Sequence, residues 1–371
     1  MRIGNAKIFV GGKFCQGGLE IKEGRIKKLL PFYTSFDLDA EGNYLIPGLV
    51  DIHTHGAVKE DFSDGNYEGI EKISRYFAKC GVTSFAATTM TLKEKSLLPA
   101  MENVKNFRRS KDGAECIGIN LEGPFLSYAK RGAQAAENLH LPDAEMFHRL
   151  NDASGGKVRL VTVAPEVEGA IPFIREISDV CTVSLGHTEA DYDTALRAFS
   201  EGASHITHLF NCMPPLHHRN PGLIGAAIEA GATAEVICDG LHLHPSTIRL
   251  SHQLFGKRFV CISDSLRCTG MPDGQYTLGG QPIEMKNGKA TLLGTDTLAG
   301  SSTNLLAELK NLVKFGIPLE EAVHAVTYAP AKAIRMENSI GSLKKGLRAD
   351  FLILSPNLDL KEVYIAGEKA V

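Results

Sequence analysis

Eight short apolar runs, rich in β-branched residues, alternate along the chain with longer segments of helical pattern. Alternation of this kind is typical of parallel βα units. Because there are eight runs between about residues 45 and 330, the sequence predicts an α/β fold with a closed (β/α)8 TIM-like barrel. The runs are 45–53, 82–89, 115–122, 157–165, 181–187, 205–211, 233–239 and 258–264.

The two ends of the chain have a different pattern. Short strand-like pieces broken by glycine, asparagine and proline occur on both sides of the alternating region. We expect them to pair as one small β-sandwich domain formed from residues 1–47 and 336–371. Residues 48–335 would then form the catalytic barrel, inserted between the two halves, and a length of 371 residues is ordinary for two such units.

Composition excludes several classes of protein. Hydrophobic residues make up 43% of the chain and charged residues 22%, which is typical of a globular protein. A formal net charge of -3 gives no global attraction to nucleic acid or to an anionic membrane. No signal peptide or membrane-spanning run is recognisable, and the eight cysteines form no CxxC motif, so we expect a cytoplasmic protein with reduced thiols.

Polar residues at the ends of the predicted strands are candidates for chemistry, because the carboxyl ends of barrel strands surround one mouth. The first run ends in His53 and His55, which a period of two places on the same side of the strand. These two could also be ordinary polar residues at a loop edge. The third run ends in Glu122, a carboxylate that needs a cation, which could be a metal or a salt bridge to Lys130 or Arg131.

Three further strand ends carry similar groups, namely His187, His208 and Asp264. Pleat alternation predicts that His205 faces away from His208 and serves as a core or surface residue. Two histidines and a carboxylate leave an open position on a zinc-like ion, as catalytic sites require. The sequence therefore predicts a metal-dependent hydrolase that cuts an amide bond with a metal-activated water, while a free carboxylate transfers the proton.

Several motifs together closely resemble the N-acetylglucosamine-6-phosphate deacetylase family of the amidohydrolase superfamily, over nearly the whole chain. HTHG alone would indicate only the superfamily, whereas HLFNxMPPLHHR with DGxHxHP is specific to the deacetylases. The motifs are HTHG from residue 53, LEGPF from 121, GHT from 186, HLFNCMPPLHHRNPG from 208, DGLHLHP from 239, SDSLRCTGMPDGQYTLGG from 263 and LAGSS from 298.

The resemblance implies roles for the strand-end residues. It makes Glu122, His187 and His208 the ligands of the principal divalent metal and Asp264 the general acid and base. His53 and His55 match a second metal position that some members fill and others lack, so one or two ions are expected per subunit. Zinc is favoured by this ligand set, although iron, manganese and cobalt accept similar ligands.

The resemblance also implies a set of substrate contacts. Asn211 and the Cys212 backbone would meet a phosphate, with Arg219 reaching over from the neighbouring subunit of a homodimer. One departure is Gln134, since several relatives have a histidine there that touches the substrate carbonyl; a glutamine can donate a hydrogen bond but not as a cation. The implied contact residues are Ala133, Gln134, Asn211, Cys212, Arg219, His242, Leu298, Ala299 and Gly300.

The expected reaction is hydrolysis of N-acetyl-D-glucosamine 6-phosphate to D-glucosamine 6-phosphate and acetate, in amino-sugar catabolism and cell-wall recycling. Two alternatives stay open from the sequence. N-acetylgalactosamine 6-phosphate differs from this substrate at a single hydroxyl, and motifs do not separate the two. A silent amino-sugar-phosphate binding protein would normally have lost a ligand or the base, and this chain keeps all of them.

Overall fold

The computed structural model describes residues 1–31 and 35–371, and it confirms the (β/α)8 prediction. Eight parallel strands of the described chain form one sheet, each paired with the next in chain order. The amide of Asp264 donates to the carbonyl of His53 at 2.9 Å, so the last strand returns to the first. The strands are β1 (Leu49–Thr54), β2 (Val82–Thr89), β3 (Glu115–Glu122), β4 (Val158–Val163), β5 (Thr182–Leu185), β6 (His205–Ile206), β7 (Thr233–Ile237) and β8 (Phe259–Ile262).

Helices cover the outside of the barrel with their apolar faces. Helices α1, α3, α5 and α8 begin after Asn66, Asp143, Asp191 and Asn304, whose side chains accept a backbone N–H of the first turn. The helices are α1 (Tyr67–Lys79), α2 (Glu94–Asn106), α3 (Ala144–Ala153), α4 (Ala170–Ile177), α5 (Tyr192–Ser200), α6 (Gly222–Ala230), α7 (Pro245–Phe255), α8 (Leu305–Lys314), α9 (Leu319–Ala325) and α10 (Tyr328–Ala333). None of the helices in the described ranges combines the length and the apolarity needed to cross a membrane.

A second sheet combines both ends of the chain, as the fold prediction requires. Its strands Tyr44–Pro47 and Phe351–Leu354 pair antiparallel and so join the two ends. The predicted first barrel run, 45–53, was wrong at its start, because residues up to Pro47 belong to this sheet and β1 begins at Leu49. The domain boundaries near residues 47 and 336 stay predictions. The other strands of this sheet are Arg2–Val10, Lys13–Lys22, Arg25–Leu30, Leu38–Asp39, Leu360–Ile365 and Glu368–Lys369.

A four-stranded antiparallel sheet after β8 was not predicted. Its strands are Gly274–Leu278, Gln281–Lys286, Lys289–Leu292 and Leu298–Ser301. Its apolar side chains, among them Ile283, pack with Met90 and Leu266 in a separate buried cluster. This packing holds the last strand of the sheet beside the barrel mouth. A short hairpin after β1 pairs Gly56–Ala57 with Glu60–Asp61.

Candidate metal centre and active site

Glu122 is at the centre of a buried cluster of histidines in the barrel mouth. Its Oε1 atom lies 3.2 Å from Nε2 of His187 and 3.0 Å from Nε2 of His208. The same two ring nitrogens are 3.0 Å apart. These three residues come from the ends of β3, β5 and β6, so the strand-end arrangement brings together side chains that are far apart in sequence.

A second group of side chains also contacts Glu122. Nε2 of His53 is 3.3 Å from Oε1 of Glu122 and 3.5 Å from Oδ1 of Asp264. Nε2 of His55 is 3.2 Å from Oε2 of Glu122 and 3.4 Å from the same Asp264 oxygen. Glu122 therefore belongs to a group with His187 and His208 and also contacts the histidines of a second group, formed by His53, His55 and Asp264.

The donor atoms of both groups fit divalent cations. Imidazole nitrogens and carboxylate oxygens are the ligands of catalytic zinc, and here they converge without any basic side chain between them. The alternative salt bridge to Glu122 does not form in the described structure: Arg131 donates to the carbonyl of Tyr128 at 2.7 Å. Lys130 contributes its main-chain oxygen, 2.8 Å from Nδ1 of His187. That contact directs the Nε2 atom of His187 at the cluster.

The electrostatics of the cluster match a cation site. Burial opposes protonation of His55, but hydrogen bonds to Asp264 and Glu122 raise its pKa to about 9. Burial also opposes protonation of His53, but the charges of Glu235 and Glu122 raise its pKa well above the ordinary value. In turn, burial alone would raise the pKa of Glu122, but the surrounding histidines hold it well below its usual range. A metal ion would replace the protons that this cluster attracts.

The backbone turns sharply where the chemical groups sit. His187, His208 and Asp264 have φ angles of 49°, 26° and 49°, in the left-handed region that costs non-glycine residues energy. Strand β6 already ends at Ile206, so pleat alternation does not extend to His208. The pleat argument for His205 and His208 therefore does not apply, whereas the expectation that His205 is a core residue is confirmed by its burial. His205 is a buried core residue whose Nε2 lies 3.1 Å from Glu235 inside the barrel.

A cavity of about 310 Å³ opens over the cluster. Eight of the nine predicted substrate residues line it: Ala133, Gln134, Asn211, Cys212, His242, Leu298, Ala299 and Gly300. Arg219 does not line this cavity and is exposed on the loop between β6 and α6. Sequence reasoning missed the lining residues Met90, Ile237, Asp296 and Thr297. The last two lie just before the motif LAGSS and outside every motif recognised in the sequence.

Two lining side chains are fixed by neighbours. The amide of Gln134 donates to Oε2 of Glu122 at 2.7 Å, and its oxygen accepts the amide N–H of Thr91 at 2.8 Å. Nδ1 of His242 is 2.7 Å from Oδ2 of Asp239. Both side chains therefore have a fixed orientation at the cavity, and Gln134 is hydrogen-bonded directly to the carboxylate of Glu122.

Glu235 is a further buried acid that sequence reasoning missed. It lies in β7, and its Oε2 atom is 2.8 Å from Nδ1 of His53. The sequence did contain a signal for Glu235, because a glutamate inside the apolar run TAEVICD is as unusual as Glu122 at the end of its own run.

Comparisons with known proteins identify the family of the chain. The amidohydrolase family model matches residues 44–370. The chain is 36% identical over 327 residues to the N-acetylglucosamine-6-phosphate deacetylase of Vibrio furnissii, covering 87% of this chain and 82% of the relative. It is 33% identical over 357 residues to the N-acetylgalactosamine-6-phosphate deacetylase of Escherichia coli O157:H7, covering 95% of this chain and 94% of the relative.

A solved structure shows the same fold at full length. It is a mutant N-acetyl-D-glucosamine-6-phosphate deacetylase from Mycobacterium smegmatis in complex with N-acetyl-D-glucosamine 6-phosphate. The TM-score is 0.94 at 32% sequence identity, with 100% of this chain and 99% of that chain covered.

Proposed function

The chain belongs to the amidohydrolase family and, within it, to the N-acetylglucosamine-6-phosphate deacetylases, and from this premise we propose how it works. It hydrolyses N-acetyl-D-glucosamine 6-phosphate to D-glucosamine 6-phosphate and acetate, a step of amino-sugar catabolism. The observation that carries the proposal is the convergence of Glu122, His187, His208 and Asp264 at one cavity of about 310 Å³.

Glu122, His187 and His208 would hold the principal ion, and His53 and His55 would hold a second one beside Glu122. When bound, a divalent cation lowers the pKa of a water molecule and polarises the amide carbonyl. Zinc is the ion we propose, because the set of imidazole and carboxylate donors suits it, and the same donors also suit iron, manganese and cobalt.

Asp264 is the proposed acid and base. Its side chain borders the cavity, with Oδ1 directed at the cluster. The carboxylate accepts the proton of the attacking water and then donates it to the departing amine, so that glucosamine 6-phosphate leaves as an amine and not as its anion. The left-handed backbone at Asp264 turns the carboxylate into the cavity.

Residues around the cavity orient the sugar phosphate. Asn211 and the backbone of Cys212 would meet the phosphate, and His242, held by Asp239, would contact sugar hydroxyls. Leu298 to Gly300 would border the acetyl group. Because both ends of the Gln134 amide are bonded to protein atoms, we assign that residue to the support of Glu122 and to packing against the substrate.

We further propose a cytoplasmic homodimer in which Arg219 completes the neighbouring site. Arg219 is exposed and lies outside the cavity of its own subunit. In the proposed dimer it would bind the phosphate of the substrate in the second subunit's site. A guanidinium fork suits a phosphate dianion. Free thiols at all eight cysteine positions of the described chain support a reducing compartment.

The test is acetate release from N-acetylglucosamine 6-phosphate by wild type and by Asp264→Asn, with the metal content of both determined. We expect activity in wild type and a loss of about two to four orders of magnitude in the variant. A fully metallated wild type that releases no acetate would contradict the proposal.

The galactosamine epimer is a second candidate, favoured by the match to the Escherichia coli O157:H7 enzyme. The chemistry would be unchanged, because the epimers differ at a hydroxyl that is remote from the acetamide. Comparing kcat/KM for the two sugar phosphates decides between them, and the substrate with the larger value is the specific one.

A further inference from the structure

We propose that Glu235 is the positioning residue that creates the second metal position, by fixing the ring of His53. This inference rests on the proposed function, because it concerns the same cluster. Glu235 is fully buried in β7 and does not line the cavity. Its one contact with the group of Glu122, His187 and His208 is with the backbone amide of His208, which donates to Oε2 of Glu235 at 3.3 Å.

The first step of the argument is the hydrogen bond between Glu235 and His53. Oε2 of Glu235 lies 2.8 Å from Nδ1 of His53, and both side chains are fully buried. A carboxylate can only accept a hydrogen bond, so Nδ1 of His53 carries the proton. In the neutral ring that binds a metal ion, the lone pair of His53 is then on Nε2, the atom that lies near Glu122 and Asp264.

The second step is that the other carboxylate oxygen of Glu235 also has a buried neighbour. Its Oε1 atom lies 3.1 Å from Nε2 of His205, an ion-pair distance without the geometry of a hydrogen bond, and Nδ1 of His205 is 2.5 Å from the hydroxyl of Thr233. The contacts form a line through the barrel interior from Thr233 to His205, Glu235 and His53. A buried carboxylate is stabilised by such partners, and these contacts place the charge of Glu235 beside Nδ1 of His53.

The third step is a comparison of the four histidines. In the described structure each group contains one histidine whose Nδ1 atom is bonded: His187 to the carbonyl of Lys130, and His53 to Glu235. Nδ1 of His55 and of His208 has no protein partner among the described residues. Each ion would therefore have one fixed imidazole, and for the second ion the fixed one depends on Glu235.

The experiment measures ion binding to metal-free protein by titration with Co²⁺ or Zn²⁺ against a competing chelator, with the bound ions counted by elemental analysis. In Glu235→Leu we expect the second ion to bind about 10- to 100-fold more weakly, and the first ion to bind as in wild type. Glu235→Gln, whose side-chain oxygen can still accept from His53, should recover part of this loss. His53→Asn should reproduce the loss, and combining it with Glu235→Leu should add nothing further.

Glu308→Gln is the matched control, because Glu308 is another fully buried acid and is grouped with Cys238 and Cys261, apart from the cluster around Glu122. It should leave both ions of the Glu122 cluster bound as in wild type, and any ion held by the group of Glu308 would be lost in this variant and so be counted separately. Wild-type affinity for both ions in Glu235→Leu, equal weakening of both ions, or additive losses with His53→Asn would overturn the inference. So would a wild type that takes up one ion only, although the proposed function would stand. If Glu235→Leu does not fold, the coupling between Glu235→Gln and His53→Asn gives the same decision. A wild type that binds no ion would instead contradict the proposed function.

Discussion

Protons and metal ions compete for the same buried histidine nitrogens and carboxylate oxygens at the metal centre. In the metal-free chain His55 is protonated below a pKa of about 9, because hydrogen bonds to Asp264 and Glu122 outweigh the effect of burial. Binding of an ion displaces that proton, so the apparent metal affinity should rise as pH increases from 6 to 9. Retention of the ion during dialysis against a chelator at pH 6, 7.5 and 9 measures this. Retention that is constant or greater at pH 6 would contradict the assignment.

Gln134 links the loop after β3 to the central carboxylate. Replacing it with leucine removes the hydrogen bond to Glu122 and leaves the buried N–H of Thr91 without its acceptor, which costs about 1–3 kcal/mol. We expect Gln134→Leu to lower the melting temperature and to weaken binding of the principal ion about 10-fold or more. Differential scanning fluorimetry and chelator competition measure the two effects.

Gln281→Leu is the matched control for this substitution. Its amide donates to the carbonyl of Ala133 at 2.6 Å and so lies beside the same loop without touching Glu122. It should leave the metal affinity unchanged. Equal metal affinity in Gln134→Leu and wild type would show that Gln134 does not support Glu122.

At the scale of single residues, the sequence predicted those groups that stand at strand ends. Glu122, His187, His208 and Asp264 could be found because a polar residue there is unusual in an apolar run. Glu235 stands within its run, and its role depends on His53, a residue 182 positions away in sequence. Such a contact across the barrel interior follows from the closed fold and not from any local pattern.

Helix α8 packs a carboxyl group against two barrel strands. Glu308 is fully buried near the thiols of Cys238 and Cys261, and burial raises its pKa well above the ordinary value. An acid whose pKa is raised by folding favours the folded state only at low pH, so stability is lost as pH rises from about 4.5 towards the folded-state pKa. We therefore expect Glu308→Gln to raise the free energy of unfolding relative to wild type at pH 8.

The same substitution should have little effect on stability near pH 4.5, where the glutamate is protonated in the folded protein. Urea unfolding of the metal-loaded protein at both pH values measures the difference. If the change in unfolding free energy is the same at pH 4.5 and pH 8, Glu308 is not buried as a neutral acid.

Whether a strand could be predicted from the sequence depended on its length. Strands such as β2 and β3 have eight residues and gave clear signals, whereas β6 has two and its predicted extension to residue 211 is wrong. The sheet from Gly274 to Ser301 was missed because its strands have four to six residues and alternate only partly. Its apolar side chains are buried in part by Met90, a distant contact that no local window contains.

On the scale of the whole molecule, the barrel and the four-stranded sheet beside its mouth supply the proposed groups of the site except a cation for the phosphate. Arg219 is on an exposed loop next to the cavity residues Asn211 and Cys212 in sequence, but it does not line the cavity of its own chain. If it acts on the neighbouring subunit, Arg219→Ala should raise KM for the sugar phosphate about 10-fold or more, because charge-assisted hydrogen bonds are worth about 1.5–3 kcal/mol. It should leave kcat nearly unchanged.

Hybrid dimers test whether that contact crosses between subunits. Coexpression of Asp264→Asn with Arg219→Ala, each chain with its own affinity tag, allows dimers with one chain of each kind to be isolated. In such a hybrid one site lacks the base, while the other combines Asp264 of one chain with Arg219 of its partner. The hybrid should therefore have about half of the wild-type kcat/KM per dimer, because one of its two symmetric sites is complete. If Arg219 serves its own subunit, that complete site does not arise, and the hybrid should show no more than half the activity of the Arg219→Ala dimer.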